Sequence, residues 1–301
     1  QPTGDNPAFL HSHNLYSDTA YYFIRVGTAK GLRVSQREQA SESGPTISSY
    51  NERLYHERDL KNMVYSGREW YGEDFSAFTT SREINLPVSD LAPGSEVRLT
   101  AFLMANSSAE SSYTLRLNGH TLGTQKISGR GTFPYHPEGI NSSSTYTLNQ
   151  QVLGQPTELK VGISFSTGSN PTALGFLNYL TLNYERQLKL YGDQTRFRSI
   201  ASMVNPVSTF RLASTPATTQ VWDVTDPLRP IVQQTTTSGL DLYFSAPTEV
   251  LREFVAFKNN TGLKPKAFGK VANQDLHSHN LDGHLDLVIL THPRFLQEAN
   301  R

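Results

Sequence analysis

The densest group of metal-ligand side chains is His277, His279, Asp282, His284 and Asp286, gathered in one short stretch. A His-x-His pair in a strand places both rings on one face, and His284 would bring a third nitrogen, the beginnings of a zinc site. Asn280 and Gly283 interrupt the group, however, and both are turn formers. No regular element would hold the rings in register, so the stretch reads as a solvated polar linker, and we assign no metal and no cofactor. His292 directly follows an apolar run, where open α/β sheets place their functional loops. In a peptidase that position would make it a tempting base; the competing reading is a structural histidine. Cysteine is absent, which excludes a thiol nucleophile, a disulfide and a Cys-ligated zinc within these residues. No residue is given a catalytic role.

Two groups suit binding better than bond-making. Trp70, Tyr71 and Phe75 stand among Arg68, Glu69 and Glu73, a composition able to form an aromatic platform for a sugar or a peptide. The same aromatics would also anchor residues 50–75 onto a neighbouring sheet, because such rings bury large areas; the β-rich context favours the anchor. Phe133, Tyr135 and His136, followed by Glu138, fall in a Gly- and Pro-containing stretch between two strands. Loops carry contacts more often than cores do, which makes residues 129–139 the preferred place for a ligand or partner. The candidate binding residues are therefore Phe133, Tyr135, His136, Trp70 and Tyr71. Acidic groups near the loop are too few for calcium, which takes six to eight oxygen ligands.

The elements that must position these side chains are mostly strands. Residues 96–105 alternate Val97, Leu99, Ala101 and Leu103, and residues 112–117 alternate Tyr113, Leu115 and Leu117 before Asn118-Gly119, a two-residue hairpin turn. Further strands are expected at 82–86, 122–127, 146–148, 158–165 and 176–184. In the last of these, both faces carry apolar residues, so both are expected to be covered. About eight short strands with turns between them favour a jelly-roll-like β-sandwich. A second set at 197–201, 208–212, 219–224, 231–235, 241–244 and 253–257 predicts a smaller β-sandwich. A strand is also expected at 21–26 and a short helix at 50–66, with Leu54, Leu60, Met63 and Val64 near one face. Residues 287–290 are continuously apolar, as in a strand covered on both sides, and Pro293 suits the first turn of a following helix. The fold class is thus mainly β: a jelly-roll-like β-sandwich, then a smaller β-sandwich, ending in the first strand and helix of an α/β domain that is expected to be truncated.

Lys+Arg and Asp+Glu both number 27 in 301 residues, so no net field draws the chain to nucleic acid or an acidic lipid surface. Charged residues make up 18%, below the usual fraction of about 25%. No run approaches the roughly 18 apolar residues of a membrane span.

Four stretches, in order, carry a resemblance. They are His13-Asn14-Leu15-Tyr16-Ser17-Asp18 with Tyr21-Tyr22-Phe23, then Ser66-Gly67-Arg68-Glu69-Trp70-Tyr71-Gly72-Glu73, then Val221-Trp222-Asp223-Val224-Thr225-Asp226-Pro227, and finally residues 287–296. Together they resemble the PorU-type sortases of the type IX secretion system, relatives of the gingipain cysteine peptidases of the C25 class. The resemblance implies an enzyme on the extracellular face of the bacterial outer membrane. Such an enzyme removes the C-terminal sorting domain of secreted cargo and joins the cargo to anionic lipopolysaccharide, in company with outer-membrane secretion-system proteins. The family's cysteine and histidine lie beyond the first strand of its caspase-like domain, so neither has a counterpart here, and the chain alone is expected to be inactive. On this basis residues 1–72 are the end of an upstream domain plus a connecting segment, 73–192 the jelly-roll-like sandwich and 193–270 the smaller sandwich. Residues 271–301 are a linker and the start of the peptidase domain. The alternative function is a glycan-binding or adhesin-like β-sandwich surface module.

Overall fold

The computed structural model describes residues 9, 19–24, 27–28, 30–40, 44–63, 69–131, 133, 137–259, 261–262, 264–270 and 289–300. The chain divides into two units, Gln1–Gly262 and Leu263–Arg301. All strands among the described residues belong to the first unit. They are β1 (Ser35–Arg37), β2 (Thr46–Ile47), β3 (Ser49–Glu57), β4 (Asp74–Phe75), β5 (Ser81–Pro87), β6 (Glu96–Asn106), β7 (Ser111–Leu117), β8 (His120–Ile127) and β9 (Ile140–Asn149). After the short helix α1 (Gln150–Leu153) come β10 (Glu158–Ser166), β11 (Leu174–Gln187), β12 (Gln194–Phe197), β13 (Val207–Leu212), β14 (Gln220–Asp223), β15 (Ile231–Gln233), β16 (Thr236–Ser238), β17 (Asp241–Pro247) and β18 (Phe254–Phe257).

Alternation of apolar and polar residues builds the first sandwich. Val97, Leu99, Ala101 and Leu103 of β6, with Tyr113, Leu115 and Leu117 of β7 and Leu159, Val161 and Ile163 of β10, point into one dry core. One sheet runs β3-β11-β6-β9, with β4 paired to the end of β11, and the facing sheet runs β5-β10-β7-β8. From β5 to β11 only the β7–β8 hairpin stays within a sheet; every other connection passes to the opposite one, which is the jelly-roll path. Asn118 and Gly119 close that hairpin at φ 47° and 83°, the left-handed pair that a primed turn requires.

The mixed pattern in β11 has a local cause. The register against β6 shifts between Leu177 and Tyr179, leaving Asn178 as an extra residue, a β-bulge. One inserted residue exchanges the two faces. Leu177 therefore joins Leu180, Leu182 and Tyr184 in the core, while Phe176 turns outward to pack with Tyr71 and Met104.

The second sandwich packs a sheet of order β1-β15-β14-β18-β12 against one of order β16-β17-β13-β2. Its centre is four phenylalanines, Phe197, Phe210, Phe244 and Phe254, with all ring centroids 4.9 to 6.3 Å apart. Two of its strands come from the N-terminal side of the jelly roll. β1 pairs in parallel with β15, and β2 in parallel with β13, so residues within 1–72 complete the edges of the small sandwich. A bare edge would leave a row of unpaired backbone groups.

Some expectations fail. Of the strand expected at 197–201, only Phe197 lies in β12, and Ile200–Val204 form a 3-10 turn instead. Within the helix expected at 50–66, residues 50–57 are instead strand, since β3 pairs with β11 over the nine residue pairs from Ser49↔Gln187 to Glu57↔Tyr179; residues 58–63 are not helical, and 64–66 lie outside the described residues. Tertiary pairing overrides the loose helical spacing of Leu54, Leu60 and Met63. Tyr21–Ile24 are irregular with exposed side chains and lie in no sheet, while Arg25 and Val26 fall outside the described residues. Aromatic strand propensity expresses fit to a half-buried pleated surface, and these side chains have none beneath them.

In the second unit, Leu287 and Val288 lie outside the described residues, and Ile289 and Leu290 are irregular and exposed. The closing helix is present as a 3-10 turn, Pro293–Phe295, running into α2 (Leu296–Ala299), with Pro293 in its first turn. Among the described residues no helix is long and apolar enough to cross a membrane.

Candidate functional site

Two stretches distant in sequence meet at one corner of the jelly roll. Asn141, at the start of β9, follows the 129–139 loop. Its Oδ1 lies 2.9 Å from the Tyr71 hydroxyl, which is also 2.9 Å from Glu69 Oε2. Asn141 Nδ2 donates to the same carboxylate oxygen at 3.0 Å. Burial, and then the Glu69 carboxylate beside it, push the Tyr71 phenol well above its ordinary value, so it stays a neutral donor. Below the hydroxyl, the Tyr71 ring packs on Phe176, Met104 and Met63. Gly139 lies against Met104, where a Cβ would collide with the sulfur.

Tyr71 is thus an anchor, buried at 4% exposure, and so is Phe75 beneath β11. Trp70 differs: its side chain is 44% exposed and stands beside the exposed Glu69. Phe133 is 75% exposed; Tyr135 and His136 lie outside the described residues. Glu69 makes no ion pair among the described residues. An open indole, with a carboxylate and an amide that hydrogen-bond each other, suits stacking on the apolar face of a sugar ring with hydrogen bonds to its hydroxyls.

Glu73, two residues after Tyr71, is hydrogen-bonded to His56 at 2.9 Å and ion-paired to Arg58 at 3.4 Å. Burial pushes its carboxyl up, but the hydrogen bond and charge of His56, with Arg58, outweigh that and leave it below the usual carboxylate range. It is therefore ionised at neutral pH and unsuited to general-acid work.

No family model and no curated protein matches the chain. Among solved structures, the dimeric latent PorU from Porphyromonas gingivalis matches with a TM-score of 0.67 and 20% identity, over 81% of this chain and 23% of that one. The chain has a PorU-like fold. That coverage exceeds what either sandwich alone supplies, so the likeness includes both. The chain spans less than a quarter of the PorU chain it matches. Two carbohydrate-binding modules match more loosely. One is the CBM36-1 domain of a multidomain xylanase from the hindgut metagenome of Trinervitermes trinervoides, at TM-score 0.26 and 15% identity over 44% of this chain and 95% of that one. The other is a CBM36 module in complex with calcium and xylotriose, at TM-score 0.21 and 10% identity over 36% and 98%. Overlaps this low carry no argument.

Within the PorU-like fold, the remaining chemistry-bearing residues have structural places. Asp223, from the Trp-Asp-Val-Thr-Asp-Pro stretch, is buried at the end of β14. It accepts from Arg37 at 2.6 Å, Arg252 at 3.4 Å, and the Thr225 hydroxyl and amide at 2.6 and 3.0 Å. Arg37 belongs to β1, so this carboxylate ties the N-terminal strand to the sandwich. Trp222 sits edge-to-face on Phe257 at 5.3 Å. His292 caps the 3-10 turn through Nδ1, which accepts from the Arg294 amide at 3.2 Å. The five histidines and aspartates of the 277–286 stretch lie outside the described residues, which themselves contain no group of three or more potential metal ligands.

One feature escaped sequence reasoning. A cleft of about 370 Å³ lies on the outer face of the β5-β10-β7-β8 sheet, over Gly162 and between Arg82, Glu83, Arg116 and Lys160. Gly162 at an outward position of β10 is the signal that would have found it, since a strand glycine leaves a notch. Lys160 pairs with Glu83 at 3.6 Å, and Arg82 with Asp74 at 2.6 Å.

Proposed function

We propose that this chain is the non-catalytic β-region of a cell-surface type IX secretion sortase. In the full-length enzyme it packs beside the peptidase part, on the extracellular face of the outer membrane, and positions cargo sorting domains for removal and for transfer of cargo to anionic lipopolysaccharide. The observation that carries this reading is the likeness to PorU over both sandwiches, joined to the ordered sequence stretches that resemble the same family. The residues of the chain fit a scaffold: no cysteine is present, and Glu73 and Asp223 are held as ion-paired structural carboxylates. The purified chain, incubated with a sorting-domain peptide, is expected to leave it intact while binding the sorting domain in surface plasmon resonance. Cleavage that disappears in His292→Ala would overturn the first expectation, and absence of any binding to sorting domains the second.

A second reading, a glycan-binding surface module, draws on the exposed Trp70 beside Glu69 and Asn141. It predicts oligosaccharide binding lost in Trp70→Ala, with stability changed by less than about 1 kcal/mol because the indole is half-exposed. A glycan array without hits for the folded chain decides against it.

A further inference from the structure

Asn183 lies on the outward face of β11, opposite Arg98 of β6 and Arg53 of β3, yet it is buried. The Phe9 amide donates to Asn183 Oδ1 at 2.8 Å, and Asn183 Nδ2 donates to the Phe9 carbonyl at 3.4 Å. Two strand residues in a hydrogen-bonded pair exchange both bonds in this way. The asparagine side chain thus stands in for a strand partner and grips the main chain of a residue regardless of its side chain. The ring is held separately. Phe9 is 5% exposed, and the Arg198 guanidinium carbon lies 3.7 Å from its centroid, a cation–π contact. Arg198 is fixed in turn by Glu253 at 2.7 Å and by its own carbonyl, which accepts from the Asn51 amide at 2.9 Å.

This cradle has capacity that Phe9 does not use. Among the described residues Arg198 Nε is buried without a hydrogen-bond partner, and an unsatisfied buried donor is costly. We propose that Asn183 and Arg198 form a docking site for an extended peptide bearing an aromatic residue, filled in this structure by the chain's own Phe9. The site bridges the sandwiches, with Asn183 on β11 and Arg198 directly after β12. A competing peptide that also brought a carbonyl or carboxylate oxygen to Arg198 Nε would hold the site more firmly than Phe9 does. The inference does not rest on the sortase reading.

The test uses the full chain carrying Phe9→Ala, a fluorescent peptide copying residues 1–18, and the same peptide with Phe9→Ala. In fluorescence anisotropy the variant chain is expected to bind the Phe peptide about tenfold or more tightly than the Ala peptide. It should also bind the Phe peptide more tightly than the wild-type chain does, whose site is occupied. Adding Arg198→Ala should abolish the preference, and adding Glu83→Ala on the opposite sheet should leave it intact. Equal affinity for the two peptides, or a preference that survives both Arg198→Ala and Asn183→Leu, overturns the proposal. Should Phe9→Ala fail to fold, limited proteolysis of the wild-type chain decides. Excess Phe peptide is expected to expose the N-terminal region to cleavage and the Ala peptide not to; identical cleavage with both overturns it.

Discussion

Asp223 is the buried carboxylate of the small sandwich on which Arg37, Arg252 and Thr225 converge. Replacing it with alanine leaves Arg37 and Arg252 facing one another without their anion, and removing one partner of a buried pair costs about 3 kcal/mol or more. Urea unfolding of Asp223→Ala should show that loss. The pH dependence follows from the same contacts. Burial pushes the Asp223 carboxyl up, but Thr225 and Arg37 outweigh it and hold it below the usual carboxylate range. A lowered folded value means that the unfolded chain binds the proton more readily. The stabilisation is therefore complete above the unfolded value of about pH 4 and disappears as pH falls through the lower folded one. The urea midpoint of the wild type should drop faster below pH 4 than that of Asp223→Asn; parallel curves would refute this assignment. The stretch containing Asp223 was legible in the sequence as a motif. Its work as a clamp on β1 was not, because Arg37 and Arg252 are distant in the chain and only the fold brings them together.

At the scale of elements, the edges decide. Residues 44 and 45 lead into β2 so closely that a Cβ on Gly44 would lie 1.8 Å from the Val207 carbonyl oxygen. That neighbour is backbone and cannot swing aside, so Gly44→Ala should undock β2 from β13. The expected signature is faster hydrogen exchange at the Thr209 amide, which donates to the Pro45 carbonyl at 3.0 Å, with little change at the Leu115 amide in the jelly roll. Uniform acceleration across both sandwiches would mean that the strand is not a local unit. Most strands of the interior could be read from period-two alternation, whereas β1, β2 and β4 could not. Strands of two or three residues carry too little pattern, and they form because a neighbouring edge needs a partner.

Across the whole molecule, β3 and the end of β11 join the two sandwiches. Tyr50 of β3 lies in the core of the small sandwich, edge-to-face on Phe197 at 6.4 Å, while Leu54 of the same strand packs on the jelly-roll core. Arg186 of β11 covers the Tyr191 ring at 3.4 Å and reaches Glu52 at 3.3 Å and the Ser89 carbonyl at 3.2 Å. Burial drives the Tyr50 hydroxyl well above its ordinary value, with Glu52 adding to the shift, so it stays protonated and can donate to Glu52. Shared elements of this kind couple the sandwiches, and calorimetry of the wild-type chain should give one unfolding transition for them. Arg186→Ala should separate it into two. A wild-type trace already resolved into two would show that the junction does not couple them.

By itself, the sequence determined that the protein is mainly β, that the β6, β7 and β10 faces are apolar on alternate residues, and that Asn118-Gly119 turns a hairpin. These are local properties, since a period of two states which face is buried without naming what covers it. The tertiary structure alone decided that residues 50–57 are a strand, that Asn178 bulges and exchanges the faces of β11, that Glu69 and Tyr71 meet Asn141, and that Phe9 is gripped by Asn183. Each of these depends on a partner far along the chain, and its cost or benefit exists only once that partner has been brought into place.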